Sequence, residues 1–230
     1  MGNIRAALGR YRTDTLAMRL FTLARHLLAP LEKVAAHVPP SGRILDLGCG
    51  HGLFTNLLAV GAPDRQLVGV DPSAEKIAVA KRSSTGLPNV RYFQGRIEDV
   101  TDGPFDVIAI LDVLYLLPDA DKVDVLKRCH SLLAPDGVLL LKTNDTRPRW
   151  RYAIVLLEEE LMVRVLRLTY GGQIHFRGIP EYLALLQEAG FEARALKIDS
   201  WRPAPHRLFV CRPLPQTPPG KTPLDGSAPA

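Results

Sequence analysis

The residues best suited to chemistry lie in one short stretch, residues 43–52, with the sequence RILDLGCGHG. Apolar residues run into Asp46, and glycine then recurs at every second position as Gly48, Gly50 and Gly52. This pattern predicts a buried strand that ends in a turn too tight for side chains. The main-chain N–H groups of such a turn can approach a ligand, and the next helix directs its positive end to the same place. We therefore expect a cofactor that contains a nucleoside.

The glycine spacing distinguishes between two kinds of nucleoside cofactor. Dinucleotide-binding folds use G-x-G-x-x-G, in which the loop cradles a pyrophosphate and the third glycine lets helix and strand pack closely. In this chain Leu53 and Phe54 follow the last glycine, where that third glycine would fall. The carboxylate of Asp46 would repel a pyrophosphate but would attract a cationic amino-acid group. The spacing therefore disfavours a dinucleotide.

Two motifs resemble those of a known family. With Asp71 closing the next predicted strand, the glycine stretch is similar to the first motif, hhD-h-G-x-G-x-G, of the class I S-adenosylmethionine-dependent methyltransferases. Residues 105–118, FDVIAILDVLYLLP, resemble the pattern D-h-h-h-h-x-D-V-L-h-h-L-P of small-molecule members of this class. The resemblance holds motif by motif over 43–142 and by topology over 179–212. It implies S-adenosylmethionine as the cofactor and methyl transfer as the reaction.

The resemblance also assigns roles within the glycine stretch. Asp46 would lie near the methionine end of the cofactor, with helix capping as the alternative role. Gly48 and Gly50 would let the backbone approach the ligand. Cys49 would contribute its backbone, because no adjacent cation that could activate its thiol is evident in the sequence apart from a neighbouring histidine.

Two further segments complete the expected cofactor site. Asp71, which precedes Pro72, would accept hydrogen bonds from the ribose hydroxyls, and the alternative is a helix cap, which Ser73 could also provide. In similar enzymes the loop after the third strand holds the adenine. In that loop Ile97 would cover the ring, while Glu98 or Asp99 would accept from the amino group. A capping role is the alternative for Asp99, and the remaining loop residue assigned to the site is Arg96.

The fourth strand and the region after it supply the residues expected near the reacting centre. Leu111 and Asp112 end this strand, at the edge where open α/β sheets bind ligands. Tyr115 is the first catalytic candidate, either shaping the pocket or orienting the acceptor, with core packing as the alternative. His175, in the segment GGQIHFR, is the second candidate as a general base, with packing beneath a loop as the alternative. Methyl transfer depends chiefly on alignment of the two reactants, so a catalytic triad is not required.

The periodicity of the chain predicts an α/β fold with a doubly wound, Rossmann-like, seven-stranded mixed sheet. An N-terminal helical cap covers 1–40, with an amphipathic helix over 14–38 that bends at Pro30. The predicted strands are 43–47, 66–71, 90–94, 105–111, 136–142, 192–198 and 206–212. The predicted helices are 52–60, 73–83, 119–133 and 180–189. The last two strands indicate the antiparallel edge that is typical of the family.

The methyltransferase domain is expected to cover 41–212. Within it, 143–178 forms an insertion after the fifth strand, with a helix near 149–168 and a proposed role as the acceptor lid. The tail 213–230 holds six prolines and no apolar period, and we expect it to be disordered. Three dispersed cysteines argue against a disulfide framework and a zinc site, so no metal is expected.

Composition bounds the location and the partners. No apolar run is long enough for a membrane span and no secretory signal is evident, so the cytoplasm is expected. The net charge of +5 is compatible with an acidic partner or with peripheral contact to an anionic membrane face. No basic run interleaved with aromatic residues appears, which disfavours nucleic acid.

The sequence therefore predicts methyl transfer to a small, apolar, aromatic, lipid-like or carrier-bound acceptor. The carrier would be an acyl-carrier partner. Other hypotheses are an RNA or protein methyltransferase, a nucleoside-binding protein without turnover, and a nicotinamide oxidoreductase.

Overall fold

Seven strands form one mixed sheet in the parts of the chain that the computed structural model describes, residues 2–147, 150, 177–198 and 205–215. The strands are β1 (Gly42–Leu47), β2 (Arg65–Asp71), β3 (Val90–Gln94), β4 (Phe105–Leu111), β5 (Leu133–Asn144), β6 (Phe191–Lys197) and β7 (His206–Pro213). Their order in the sheet is β3-β2-β1-β4-β5-β7-β6. Every predicted strand is present, which confirms the doubly wound fold.

Helices alternate with these strands as the periodicity predicts. They are α1 (Gly2–Gly9), α2 (Leu16–Leu28), α3 (Leu31–Ala35), α4 (Leu53–Gly61), α5 (Ala74–Ser83), α6 (Asp119–Leu132) and α7 (Ile179–Glu188). Short 3₁₀ turns follow β3 and β4 at Ile97–Asp99 and Leu114–Leu116. The predicted bend at Pro30 is confirmed, because α2 ends just before it and α3 begins just after it. Helix α1 was not predicted.

The strand directions create a crevice at one edge of the sheet. Strands β1 to β5 are parallel, and the strand order reverses between β1 and β4, the position at which open α/β sheets bind ligands. Strand β7 is antiparallel to both β5 and β6, as predicted. Its first residue, His206, pairs with the last residue of β5, Asn144. Consequently the start of β7 lies at the same edge as the carboxyl ends of the parallel strands.

Apolar side chains cover both faces of the sheet, because successive residues of a strand point to opposite sides. Leu45 packs on one face in a cluster with residues of α6 and α7, and Ile44 packs on the other with residues of α3 and α4. The second cluster also contains Leu140 and Leu208, so this face of β5 and β7 lies on the side of the N-terminal helices. Leu31 and Leu111 of this cluster also line the crevice.

The N-terminal segment is tied to the glycine loop. Ile4 and Ala7 of α1 are buried, and this helix contacts α4. The fully buried Tyr11 donates a hydrogen bond from its hydroxyl to the His51 carbonyl at 2.8 Å and accepts one from Asn56 Nδ2 at 3.1 Å. The cap therefore helps to hold the turn that follows β1.

Some predictions fall outside the described residues. These are most of the 143–178 insertion, with its predicted helix and His175, and nearly all of the tail beyond β7. The division into cap, domain and tail stays a prediction. Within the described ranges, the structure has no helix of the length and hydropathy that a bilayer crossing needs.

Candidate active site

A crevice of about 950 Å³ runs along the carboxyl edge of the parallel strands. Helix α2 forms part of its wall through Phe21, Thr22, Arg25 and Leu28. The fold brings together every residue that the sequence assigned to the cofactor. These are Asp46, Gly48, Cys49, Gly50, Asp71, Pro72, Arg96, Ile97, Glu98, Leu111 and Asp112. Tyr115 also lines the crevice and is buried, so its predicted contact with the acceptor and its packing role remain compatible.

The glycine turn is fixed by the protein's own hydrogen bonds. The N–H groups of Gly48 and Cys49 donate to the Val70 carbonyl at 2.8 and 3.0 Å, and that of Gly50 donates to Asp71 Oδ2 at 3.0 Å. The sequence led us to expect these amides to face a ligand. They instead attach the turn to β2, because buried N–H groups need partners.

Two glycines of this turn differ in what surrounds them. Gly48 has φ +75°, and a Cβ atom there would lie 2.4 Å from Val113 Cγ2. Gly50 has φ +55°, and a Cβ atom there would meet nothing within 4 Å. Because Gly50 also lines the crevice, it leaves open space on the ligand side of the turn. Both glycines line the crevice, but only Gly48 is also required for close packing, against Val113.

Asp46 lies between the crevice and α4, and it does not cap this helix, whose N-cap is Gly52. Its carboxylate lines the crevice, and Oδ2 also accepts a hydrogen bond at 2.5 Å from the Thr55 hydroxyl in the first turn of α4. Burial raises the pKa of Asp46 to about 6, and the nearby Asp71 adds to the shift, while Thr55 and Arg25 oppose it. A cationic ligand group beside it would favour the ionised form.

Asp71 connects the glycine turn to the start of α5 through hydrogen bonds. Its Oδ2 accepts from Gly50, and its Oδ1 accepts from the N–H of Ser73 at 2.9 Å. The helix cap itself is Ser73, whose hydroxyl accepts from the N–H of Lys76 at 3.3 Å. Each carboxylate oxygen has a second lone pair, so Asp71 retains the capacity to bind a pair of ligand hydroxyls.

Cys49 is an unreactive thiol in this setting. Burial raises the pKa of Cys49 well above its usual value, and the adjacent Asp46 and Asp71 carboxylates raise it further. The thiolate is the reactive form of cysteine, and these surroundings disfavour it. The Cys49 N–H donates to the Val70 carbonyl, so a contribution of its backbone to a ligand stays a prediction.

The turn after β3 separates the two acidic candidates for adenine. Asp99 Oδ2 accepts from the N–H of Arg96 at 2.8 Å, so Asp99 caps the turn as the alternative hypothesis held. Glu98 lines the crevice and Asp99 does not. Ile97 is buried and also lines the crevice, where an apolar side chain can cover a flat ring.

A buried charge cluster lies beyond β4. Lys142 Nζ contacts the two carboxylate oxygens of Asp112 at 2.6 and 2.7 Å, and Arg25 lies 3.0 Å from Oδ2. Burial opposes ionisation of Asp112, but the charges of Lys142 and Arg25 outweigh it and lower the pKa. Asp112 also has φ +58°, a conformation that residues other than glycine rarely adopt and that is often associated with functional sites.

Three residues at this end of the crevice were not predicted from the sequence: Arg25, Lys142 and His206. Asn144, which also lines it, lies in the insertion that was predicted to bind the acceptor. Lys142 left a usable signal, since it is a single cation directly after the apolar run VLLL of a buried strand. His206 could not be found in the same way, because it begins β7 rather than ending a strand. Only the antiparallel direction of β7 brings it to this edge of the sheet. Arg25 looked like any polar residue of an amphipathic helix.

The residues present fit a nucleoside that carries a cationic amino acid. Asp71 offers acceptors for a ribose, and Glu98 with Ile97 offers an acid and an apolar cover for a base. Asp46 offers a carboxylate for an ammonium or sulfonium charge. Two buried carboxylates beside the glycine turn do not suit a pyrophosphate.

Sequence comparison places the chain among methyltransferases. A family model described as "Methyltransferase domain" matches residues 18–196. The ubiquinone biosynthesis O-methyltransferase of Xanthomonas axonopodis pv. citri (strain 306) is 31% identical over 192 residues, covering 77% of this chain and 76% of that protein. The enzyme of the same description from Haemophilus ducreyi is 27% identical, covering 80% of this chain and 81% of that protein.

Solved structures show the same fold. The mitomycin 7-O-methyltransferase MmcR has a TM-score of 0.67 at 24% identity, and the match covers 87% of this chain and 58% of that one. The O-methyltransferase NcsB1 from neocarzinostatin biosynthesis, in complex with S-adenosylmethionine and 2-hydroxy-5-methyl naphthoic acid, has a TM-score of 0.64 at 23% identity. That match covers 86% of this chain and 58% of the other, so this chain spans little more than half the length of either structure.

Proposed function

This chain belongs to the class I S-adenosylmethionine-dependent methyltransferases, and from that premise we propose that it transfers the methyl group to a hydroxyl oxygen of a small, apolar or aromatic acceptor. The observation that supports this most is the division of the crevice. The carboxylates of Asp46 and Asp71 lie on β1 and β2, whereas leucine side chains and Tyr115 line the crevice beyond β4 beside the paired Asp112 and Lys142. The O-methyltransferase relatives support oxygen as the methyl acceptor.

On this proposal the cofactor spans the β3, β2 and β1 ends. Glu98 accepts from the adenine amino group, Asp71 binds the ribose, and Asp46 lies by the methionine portion. Arg25, on α2, supplies a cation suited to the methionine carboxylate. When bound, S-adenosylmethionine supplies an electrophilic methyl group on a sulfonium. The chain then contributes alignment of the two reactants, which lowers a barrier by about 7–11 kcal/mol in favourable cases.

The acceptor half has an apolar wall. Leu28 and Leu31 border it from the N-terminal helices, and Leu111, Leu114 and Tyr115 border it from β4 and the turn that follows. Such a lining suits a ring or an alkyl chain with few polar groups. The acceptor is therefore aromatic, lipid-like or carrier-bound.

The test is a labelling experiment with S-adenosylmethionine that carries a radioactive methyl group. The purified protein is incubated with lipid, small-molecule, RNA and protein fractions of a cell extract. We expect the label in the lipid or small-molecule fraction, incorporated as a methyl ether of the acceptor. Label in RNA or protein would replace this proposal with one of the macromolecular alternatives.

Matched aspartate variants sharpen the result. Asp71→Asn is expected to weaken S-adenosylhomocysteine binding at least ten-fold in calorimetry, since a charged acceptor is lost from the ribose site. Asp64→Asn, at an exposed position, is the control and should bind like the natural protein. Binding of S-adenosylhomocysteine without label transfer to any fraction would favour a nucleoside-binding protein, and binding of NAD instead would favour an oxidoreductase.

The outer face of α2 supports a peripheral membrane contact. Leu16, Leu20, Leu23 and Leu27 form one stripe at helical spacing and are 66, 58, 43 and 43% exposed. Arg19 lies beside them, as in helices that rest on anionic lipid. The inner face of the same helix lines the crevice, so a lipid-like acceptor would enter from the bilayer surface.

Vesicle flotation tests this contact. The protein should float with anionic vesicles and not with zwitterionic ones, and the double variant Leu20→Glu with Leu27→Glu should abolish flotation. Leu214→Glu, which alters an exposed leucine elsewhere, is the control. Equal recovery with anionic and zwitterionic vesicles would refute the preference for anionic lipid, and no recovery with either would remove the membrane contact.

A further inference from the structure

Two buried polar side chains in the crevice have atoms without a hydrogen-bond partner. Asn144 is 5% exposed and His206 is 2% exposed, and both line the crevice. Neither the Asn144 Oδ1 atom nor either ring nitrogen of His206 has a partner among the described residues. The Leu28 carbonyl favours the protonated ring and so raises the pKa of His206, but neither ring nitrogen forms a hydrogen bond of normal geometry with a described residue. Buried polar groups of this kind are rare in folded proteins and call for an explanation.

The two residues form one surface. Asn144 and His206 are directly opposite each other in the antiparallel β5–β7 ladder, so their side chains lie on the same face of the sheet. Lys142 lies two residues before Asn144 and shares that face. Lys142 is already paired with Asp112. The unpartnered atoms therefore lie beside a charge cluster and at the end of the crevice.

Their place in the strand order separates them from the cofactor half. Neighbouring strands are about 4.8 Å apart, so the β7 end lies roughly 19 Å across the sheet from the β2 end that carries Asp71. The carboxylates that fit the nucleoside and its amino acid lie on β1 and β2. Asn144 and His206 thus border the half of the crevice left for the acceptor.

We propose that Asn144 and His206 form the subsite that recognises a hydroxyl group of the acceptor. Asn144 Oδ1 is an acceptor, and the neutral His206 ring offers one acceptor nitrogen and one N–H donor, so the group that satisfies both residues must donate as well as accept. A phenol or enol hydroxyl does both, whereas an ether or a carboxylate can only accept. The inference rests on the proposed function, and it specifies the group that the methyl-accepting molecule presents at the β5–β7 end.

The surroundings keep His206 in the form that this role needs. Burial lowers the pKa of His206 to about 3, and the positive charges of Lys142 and Arg25 lower it further while Asp112 opposes them. The imidazole is therefore neutral at neutral pH and retains an acceptor nitrogen. A hydroxyl that donates to this nitrogen keeps the lone pairs of its oxygen free.

A matched ligand pair tests the subsite directly. The probes are 2-naphthol and its methyl ether, 2-methoxynaphthalene, titrated into the protein saturated with S-adenosylhomocysteine and followed by NMR. We expect naphthol to bind about ten-fold more tightly than the ether, because the ether lacks the donor. His206→Phe and Asn144→Leu should each reduce that preference by at least three-fold, and His37→Phe, at an exposed site, should leave it unchanged.

Thermal unfolding of the same variants separates binding from structure. Replacing an unpartnered buried polar group with an apolar one of similar size should leave the melting temperature unchanged or raise it. An unchanged naphthol preference, or a large drop in melting temperature in both variants, would overturn the subsite. Failure of the natural protein to bind S-adenosylhomocysteine would instead refute the proposed function, and equal affinity for the two probes would refute the subsite alone.

Discussion

The two halves of the crevice satisfy their polar groups in opposite ways. In the β1–β2 half, Asp46 and Asp71 are held by Thr55, Gly50 and Ser73, so the protein completes part of their hydrogen bonding. In the β4–β5–β7 half, Asp112 has a left-handed backbone, while Asn144 and His206 hold atoms without partners. The polar groups of the first half are already held in place by the protein. In the second half, a bound molecule can supply the hydrogen bonds that the protein does not.

This difference indicates which half binds the ligand common to every reaction cycle and which half discriminates among other molecules. A prebuilt half suits a ligand that is the same in every reaction cycle, because its contacts need no rearrangement. A half with unsatisfied atoms rejects molecules that cannot supply hydrogen bonds, which is a strong form of discrimination. We therefore expect substitutions in the two halves to affect stability and binding in different proportions.

The largest effect should come from breaking the charge cluster. Lys142→Met removes the main partner of the buried Asp112 and should lower the free energy of unfolding by about 3–5 kcal/mol. Urea unfolding measures it. Arg82→Met, which removes the exposed partner of Asp14, is the control and should cost about 1 kcal/mol or less. The double variant Asp112→Asn with Lys142→Met should recover much of the loss, and a loss as large as that of the single variant would argue against charge pairing.

A pair of glycine variants comes next. Gly48→Ala combines a left-handed backbone with a clash against Val113, so it should cost about 2–4 kcal/mol. Gly50→Ala carries only the backbone strain and should cost about 1 kcal/mol. Its methyl group borders the crevice, so Gly50→Ala should weaken S-adenosylhomocysteine binding more than its loss of stability suggests. Equal stability losses in urea would contradict this difference between the two positions.

Asp46→Asn should show a pH-dependent gain in stability. Folding raises the pKa of the Asp46 carboxyl from 3.8 to about 6, so the folded protein becomes less stable as the pH rises through this range. The amide has no such penalty, so near pH 7.5 the variant should exceed the natural protein by roughly 1–3 kcal/mol and match it near pH 4. Thermal unfolding at both pH values measures the difference, with Asp64→Asn as control. The same variant should bind S-adenosylhomocysteine more weakly.

The smallest effect is expected at Ser73. Ser73→Ala removes the cap of α5 and should cost about 1 kcal/mol in urea unfolding. Because Asp71 keeps its bond to the Ser73 N–H, S-adenosylhomocysteine affinity should change by less than three-fold. A loss of affinity equal to that of Asp71→Asn would show that the two residues act together on the ligand.

Sequence sufficed for one half of the crevice because its determinants are local. Asp46, Gly48 and Gly50 are neighbours in the chain, and Asp71 ends the next strand, so pattern and spacing place them together. The alternating apolar periods likewise predicted the strands that carry them.

The other half could be predicted only in part. The motif after β4 indicated Asp112 and Tyr115, but Arg25, Lys142 and His206 come from distant segments that only the tertiary structure brings to Asp112. Helix α1 was not predicted for another reason. Its eight residues begin and end with glycine and bury only Ile4 and Ala7, so the chain offers too short a period to indicate a helix.

The antiparallel course of β7 has a practical consequence. Because β7 runs antiparallel to β5, its first residue, and not its last, lies at the rim of the crevice. Engineers who wish to redirect this enzyme to other acceptors can therefore vary the last residue of β5 and the first of β7 as a pair, and leave the donor-holding strands untouched.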